Sequence, residues 1–280
     1  MNNRRDARIA FIGGGNMARA LIGGLLRQGS PPQQLRVGEP DAAARTALQR
    51  EFAVPTSADN AAAIDGAEIV VLAVKPQTVA PVLRSLRPHW PAASPLLLSI
   101  VAGVRINDLA QLCPPLPIVR AMPNRPALVG AGVTALFAAP SVPAAQRPLA
   151  ERVAAAAGRF LWLRAESELD IATALSGSGP AYFFLLAEQL AQAAIALGLE
   201  PATATLLATE TLHGSGVLAQ GSATLAEQRA AVTSRGGTTQ AALEFLEAGG
   251  FEQLVRGALR AAAARSAELA DQAARSLSES

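Results

Sequence analysis

Three small residues, Gly13, Gly15 and Ala18, fall in the pattern G-x-G-x-x-G/A near the start of the chain. That spacing suits a dinucleotide pyrophosphate. The first glycine lets the chain turn sharply, the second lets the backbone approach the phosphates, and the alanine lets a helix pack close to its strand. A helix starting there, at Asn16 and Met17, offers main-chain N–H groups and the positive end of its dipole. Alone, the pattern also describes a flexible strand-to-helix turn, so its neighbours decide. The apolar run Ile9–Ile12 fits a buried strand in front, and Met17, Leu21, Ile22 and Leu25 make one apolar helical side behind.

Glu39 lies 21 positions beyond Ala18, where a dinucleotide fold places the group that meets the adenosine ribose. A carboxylate there accepts from a 2′-hydroxyl and repels a 2′-phosphate; otherwise Glu39 is an ordinary loop glutamate. Lys75, the sole lysine, ends an apolar stretch over residues 67–74 and reads either as a group beside a nicotinamide or as a strand-end cation. Farther on, Ser234, Gly236, Gly237, Thr238 and Thr239 open a helical stretch. The amides at Gly237, Thr238 and Thr239, with the threonine hydroxyls, would make a pocket for a carboxylate, or simply an N-cap.

These groups need a frame. Strand-like runs fall at residues 9–12, 35–39, 67–74, 95–101, 116–121, 132–137 and 160–163. Helical stretches fall between them at 41–51, 59–64, from Asn107, and 148–157. The alternation predicts an α/β fold of the Rossmann type, a doubly wound sheet with a nucleotide across its switch point. After about Glu166 strands disappear, and helical patterns cover 168–175, 180–197, 202–219, 224–232, 238–247 and 251–277. The expected division is a dinucleotide-binding domain over residues 1–164 and an all-helical domain over 165–280. Two glycine-rich stretches, around Ser176–Pro180 and around Gly236–Gly237, are expected to interrupt those helices. Alanine-rich helices bury little surface per residue and hold together by extensive contact, which a dimer supplies better than a monomer.

Other classes of partner find little support. The net charge is only +2 and the arginines are scattered, which argues against nucleic acid. Glycines and prolines interrupt the longest charge-free stretch, residues 126–146, so no membrane span is expected. Cys113 is the single cysteine, and no secretory apolar segment precedes the first strand, so a cytoplasmic setting is expected. His89 and His213 stand alone, which leaves no metal site in view. General acids and bases are few: Lys75, Glu166, Glu168, Asp170 and the threonines. That favours hydride delivery to an already protonated imine, which needs one supporting hydroxyl, over ketone reduction, which develops an alkoxide.

The ordered set I-G-G-G-N-M-A, A-V-K-P-Q, R-A-M-P-N, L-S-G-S-G-P-A-Y and V-T-S-R-G-G-T-T resembles the pyrroline-5-carboxylate reductase family. The resemblance implies reduction of 1-pyrroline-5-carboxylate to L-proline with NADPH or NADH. It also implies a homodimer interlocked through the helical domain, which can assemble further. By similarity, Gly13, Gly15, Asn16 and Met17 hold the pyrophosphate, and Glu39, Asn60, Val74, Lys75 and Ala102 lie along the cofactor. The resemblance places the substrate carboxylate on the amides of Thr238 and Thr239, with the Thr239 hydroxyl facing the ring nitrogen. Arg125 and Arg235 stand where the family usually has threonine and proline, and Glu39 leans toward NADH. Two rival readings share the nucleotide half or its ligand. A β-hydroxyacid dehydrogenase or related imine reductase sharing the nucleotide half would need a lysine in the helical half as proton donor, which is absent. A nucleotide-sensing protein would bind NADH without oxidising it.

Overall fold

The computed structural model describes residues 7–279. Eight strands form one sheet in the order β3-β2-β1-β4-β5-β6-β7-β8. They are β1 (Ile9–Ile12), β2 (Leu35–Gly38), β3 (Thr56–Ser57), β4 (Ile69–Leu72), β5 (Leu96–Ser99), β6 (Ile118–Met122), β7 (Gly132–Ala138) and β8 (Gly158–Trp162). The first six are parallel; β7 runs antiparallel to β6, and β8 follows β7. The chain order reverses between β1 and β4, which is the switch point expected of this fold.

The central strands are apolar because both of their faces are covered. Along β1, Ile9 and Phe11 join one core, while Ala10 and Ile12 join the other. The first core takes Leu21, Ile22 and Leu25 of α1 (Asn16–Arg27), Leu48 of α2 (Ala42–Phe52) and Val153 of α6 (Arg147–Ala155). The second takes Ile64 of α3 (Asn60–Ile64), Leu83 and Leu86 of α4 (Val79–Leu86), and Leu109 and Leu112 of α5 (Ile106–Leu112). Two elements were not anticipated: α4 directly after the Lys75-Pro76 turn, and β3, which is only two residues long.

The sheet ends at Trp162, close to the expected boundary at Arg164, but the compact units divide elsewhere. One unit runs up to Gly177 and takes back the chain from Ala262 on; the other is Ser178–Ala261. The reason is packing. In α7 (Glu168–Ala172) Leu169 is buried, as is Ala174 in the turn that follows it. The last part of α12 (Phe251–Glu279) buries Ala270 to 1% exposure, and Ser266 Oγ donates to Asp170 at 2.7 Å.

The first expected interruption barely leaves the helix. Thr173–Gly177 forms a π turn between α7 and α8 (Gly179–Ala196), and Pro180 sits in the first turn of α8. The hydroxyls of Thr173 and Ser176 bond back to the carbonyls of Leu169 and Ala172, at 2.7 and 2.8 Å. The second unit contains α8, α9 (Pro201–Leu218), α10 (Leu225–Ala231), α11 (Thr238–Ala248) and the start of α12. Helices α8 and α9 pack against one another. Among the described residues no helix is long and apolar enough to cross a membrane.

Candidate active site

Gly13 ends β1 with φ +97°, and a Cβ on it would lie 2.7 Å from the Ala73 carbonyl oxygen. Only glycine makes this turn at this distance. Its N–H donates to Gly38 O at 2.8 Å, which ties the turn to the end of β2. Gly15 caps α1 and is exposed, with nothing within 4 Å of where a Cβ would stand. No side chain caps α1, and no acidic residue occupies its first turn. Asn16 and Met17 therefore open a helix whose first amides no side-chain cap has claimed, the condition an anion site requires.

Glu39 is drawn into the same turn. Its Oε2 accepts Gly14 N–H at 2.9 Å and its Oε1 accepts Asp41 N–H at 3.0 Å. Arg45 Nη1 donates to the carbonyls of Glu39 and Pro40, both at 2.8 Å, so a guanidinium stands beside this end of β2. Arg36 instead donates to Asp65 O at 3.1 Å. Asn60 leans on Gly38, and its Oδ1 is buried without a hydrogen-bond partner. A buried acceptor left open at the end of β2 suits a ligand donor.

On the other side of the switch point, Val74 Cγ1 comes 3.1 Å from the Gly13 Cβ position. Lys75 is exposed and forms no ion pair among the described residues; its carbonyl accepts the N–H and hydroxyl of Thr78 at 2.9 Å each. Ile100 N–H donates to Leu72 O at 3.1 Å, so the loop carrying Ala102 leaves β5 beside the end of β4. The structure thus brings Gly13, Gly15, Asn16, Met17, Glu39, Asn60, Val74, Lys75 and Ala102 to the carboxyl ends of neighbouring strands. The residues fit a dinucleotide: an uncapped helix start, an approach that a Cβ would fill, and an orphaned acceptor.

The threonine set belongs to the helical unit. Gly237 is the N-cap of α11, and Thr238 and Thr239 are its first residues, again with no side-chain cap and no acid in the first turn. One expectation changes. The Gly237 N–H donates to Ser234 O at 3.0 Å and the Gly236 N–H to Gln240 Oε1 at 2.7 Å, so these two amides are spent within the bend. Gly236 holds φ +71°. The amides of Thr238 and Thr239 remain as the donors at the helix start.

The acids considered for proton transfer have structural partners. Glu166 Oε1 accepts Arg120 Nη1 at 2.7 Å and Ile106 N–H at 2.8 Å. Glu168 takes the amides of Arg164 and Ala165, at 2.8 and 3.3 Å, and Asp170 takes Ser266. Sequence reasoning also passed over Asn124 of the R-A-M-P-N motif. It is buried, accepts Val133 N–H at 2.9 Å and donates to Ser176 O at 3.2 Å. It thereby joins that motif to L-S-G-S-G-P, where a Cβ on Gly177 would also meet Met122 Cε at 2.9 Å. One signal was present: Arg120 and Asn124 are polar residues in an apolar run, and burial obliges such groups to find partners. Among the described residues no cluster of three His, Cys, Asp or Glu could hold a metal. Burial pushes the Cys113 thiol up to about 11, which leaves it protonated and inert at neutral pH.

Known proteins match both halves of the chain. Residues 166–269 match the family model described as pyrroline-5-carboxylate reductase dimerisation, and residues 8–103 match one described as NADP oxidoreductase, coenzyme F420-dependent. A pyrroline-5-carboxylate reductase of Pseudomonas aeruginosa is 47% identical over 267 residues, covering 95% of this chain and 97% of that one. One of Mycobacterium tuberculosis is 43% identical, covering 94% and 97%. The solved reductase of Coxiella burnetii superposes with a TM-score of 0.91 at 38% identity, over 94% of this chain and 98% of that one. The Plasmodium falciparum enzyme, solved with NADP bound, does so with 0.80 at 28% identity, over 95% and 99%. With glycine turn, sheet order and near-full-length identity all in agreement, the chain belongs to the pyrroline-5-carboxylate reductase family.

Proposed function

We propose that this chain reduces 1-pyrroline-5-carboxylate to L-proline with NADH or NADPH, the last step of proline biosynthesis, in the cytoplasm. One observation carries the reading: nearly the whole chain is like reductases of this name, and two of its helix starts, at Asn16 and at Thr238, have neither a side-chain cap nor an acid in the first turn and so suit anions. The bound nicotinamide supplies a hydride equivalent. The residues of this chain do the rest. Gly13, Gly15, Asn16 and Met17 hold the pyrophosphate through backbone amides and the α1 dipole. Glu39 and Asn60 hold the adenosine half, and Val74, Lys75 and Ala102 line the nicotinamide half. The amides of Thr238 and Thr239 receive the substrate carboxylate, with Ser234, Gly236 and Gly237 shaping the bend. The Thr239 hydroxyl hydrogen-bonds the ring nitrogen and holds the imine in its protonated, electrophilic form.

NADH is the preferred reductant in this reading. Each Glu39 oxygen is anchored by one main-chain N–H and has a further lone pair for a ribose 2′-hydroxyl, while a 2′-phosphate would meet the carboxylate. The active form is a homodimer through the helical unit. The test is nicotinamide oxidation followed spectrophotometrically with each cofactor at several pyrroline-5-carboxylate concentrations. A Thr239→Ala variant should lose about a hundredfold to a thousandfold in kcat at an unchanged melting temperature, the scale of one lost transition-state hydrogen bond. Full activity in that variant would remove Thr239 from the mechanism. Cofactor binding without turnover would favour a sensor instead.

A further inference from the structure

The loop from β5 to α5 is tied at both ends. It begins where Ile100 N–H bonds to Leu72 O at 3.1 Å, beside the chain that continues to Val74 and Lys75. It turns at Gly103, φ +73°, just after the exposed Ala102. Its far end is held at Ile106, whose N–H donates to Glu166 Oε1 at 2.8 Å. That same oxygen accepts Arg120 Nη1 at 2.7 Å. Glu166 lies 60 positions from Ile106 and 46 from Arg120, so local sequence does not dictate this junction.

A second tether, Arg105 to Asp271 at 2.7 Å, is exposed on both sides, at 39% and 53%. Water and salt screen such a pair, and it contributes little rigidity. The Arg120–Glu166 pair is more sheltered, at 10% and 28%, and Arg120 rises from the middle of β6, a strand whose backbone the sheet fixes. Charge-assisted bonds of this length hold direction as well as distance.

We propose that Glu166, itself oriented by Arg120, is a positioning residue for the nicotinamide half of the cofactor. It fixes the start of α5 and so the height of the Ala102 loop above the strand ends. The proposal rests on the reading that Ala102 lies along the cofactor. Cutting the tether lets the loop drift, which costs contacts to the nicotinamide and leaves the adenosine half untouched.

The experiment compares two ligands on the full-length enzyme: NADH, and ADP-ribose, which lacks the nicotinamide. In Glu166→Ala, calorimetry should show NADH binding weakened about fivefold to tenfold and ADP-ribose binding within about twofold of the parent, with kcat reduced. Glu166→Gln keeps an oxygen facing both donors and should stay within about twofold for both ligands. Glu166→Ala strands the buried Arg120 charge and can unfold the chain. The double variant Glu166→Ala with Arg120→Met removes that charge, still lacks an acceptor for Ile106, and should show the same NADH-selective loss. Recovery of NADH affinity in the double variant, or parallel loss of both ligands in a folded variant, overturns the proposal. Ala102→Leu separates the two readings. If it leaves NADH binding unchanged, the placement of Ala102 along the cofactor fails. If it weakens NADH binding while the Glu166 variants do not, the positioning role alone fails.

Discussion

The sheet region and the helices of Ser178–Ala261 solve opposite problems. In the sheet region Phe11, Ile12, Ile22, Val71 and Leu98 are exposed by 1% or less, and two cores sandwich the strands. In the helical unit only Gly179, Ala191 and Ala204 are buried, while Phe183, Phe184, Leu206 and Phe245 are exposed by 61, 59, 62 and 80%. Each such side chain is worth about 1.5–3 kcal/mol on burial, so this much apolar surface in one region calls for a partner. That region falls within the segment matched by the dimerisation model. One part of the chain encodes a fold, the other an assembly.

The sharpest way to break that contrast is to put charge on the helical surface. Phe183→Asp combined with Phe184→Asp should abolish the dimer, read by light scattering, and lower activity more than about a hundredfold, because several buried anchors carry most of an interface. ADP-ribose binding by the sheet region should survive within about threefold, since its core is its own. The mirror experiment is Gly13→Ala. A Cβ against the Ala73 carbonyl at φ +97° strains the turn by about 1–3 kcal/mol, so cofactor binding should fall roughly ten- to a hundredfold while the dimer persists. Loss of the dimer in Gly13→Ala would show that the regions are not independent.

Smaller effects sharpen the sheet side. Glu39→Ser should move the kcat/KM ratio toward NADPH by about tenfold, because the Arg45 guanidinium held at the Glu39 and Pro40 carbonyls would then face a 2′-phosphate with no carboxylate beside it to repel that phosphate. An unchanged ratio would dismiss Glu39 from cofactor choice. Asp41→Ala removes the α2 cap, whose Oδ1 accepts Ala44 N–H at 2.7 Å, and should cost about 1 kcal/mol in denaturant unfolding. Cys113 adds a pH dependence. With its thiol ionising only near 11 when folded, against 9.0 ordinarily, the unfolded chain alone releases that proton in between. Stability is therefore unaffected below about 9 and falls as pH rises toward 11; Cys113→Ala should flatten that part of the profile.

What could be read ahead of the structure follows from range. The glycine turn, the apolar strands and the cap at Asp59 that opens α3 depend on neighbours a few residues apart, and their patterns are legible. β3 is too short to carry a period of two. Helix α4 did leave a trace, Val79, Ala80, Leu83 and Leu86 on one side, which the proline-rich turn before it concealed. The π turn at Thr173–Gly177 was hidden, because serine and glycine there look like a loop until Asn124 supplies a partner for the Ser176 carbonyl.

The sequence by itself determined the alternation of elements, the dinucleotide turn and the family, since each is written in local spacing or in ordered motifs. Tertiary structure alone decided that Glu166 serves Arg120 and Ile106 instead of a proton, that Asn124 joins Val133 to Ser176, and that the end of α12 returns to the sheet region where Ser266 meets Asp170. The physical reason is common to all three. A buried or constrained polar group takes whichever partner the fold brings within about 3 Å, and chain separation says nothing about which one that is.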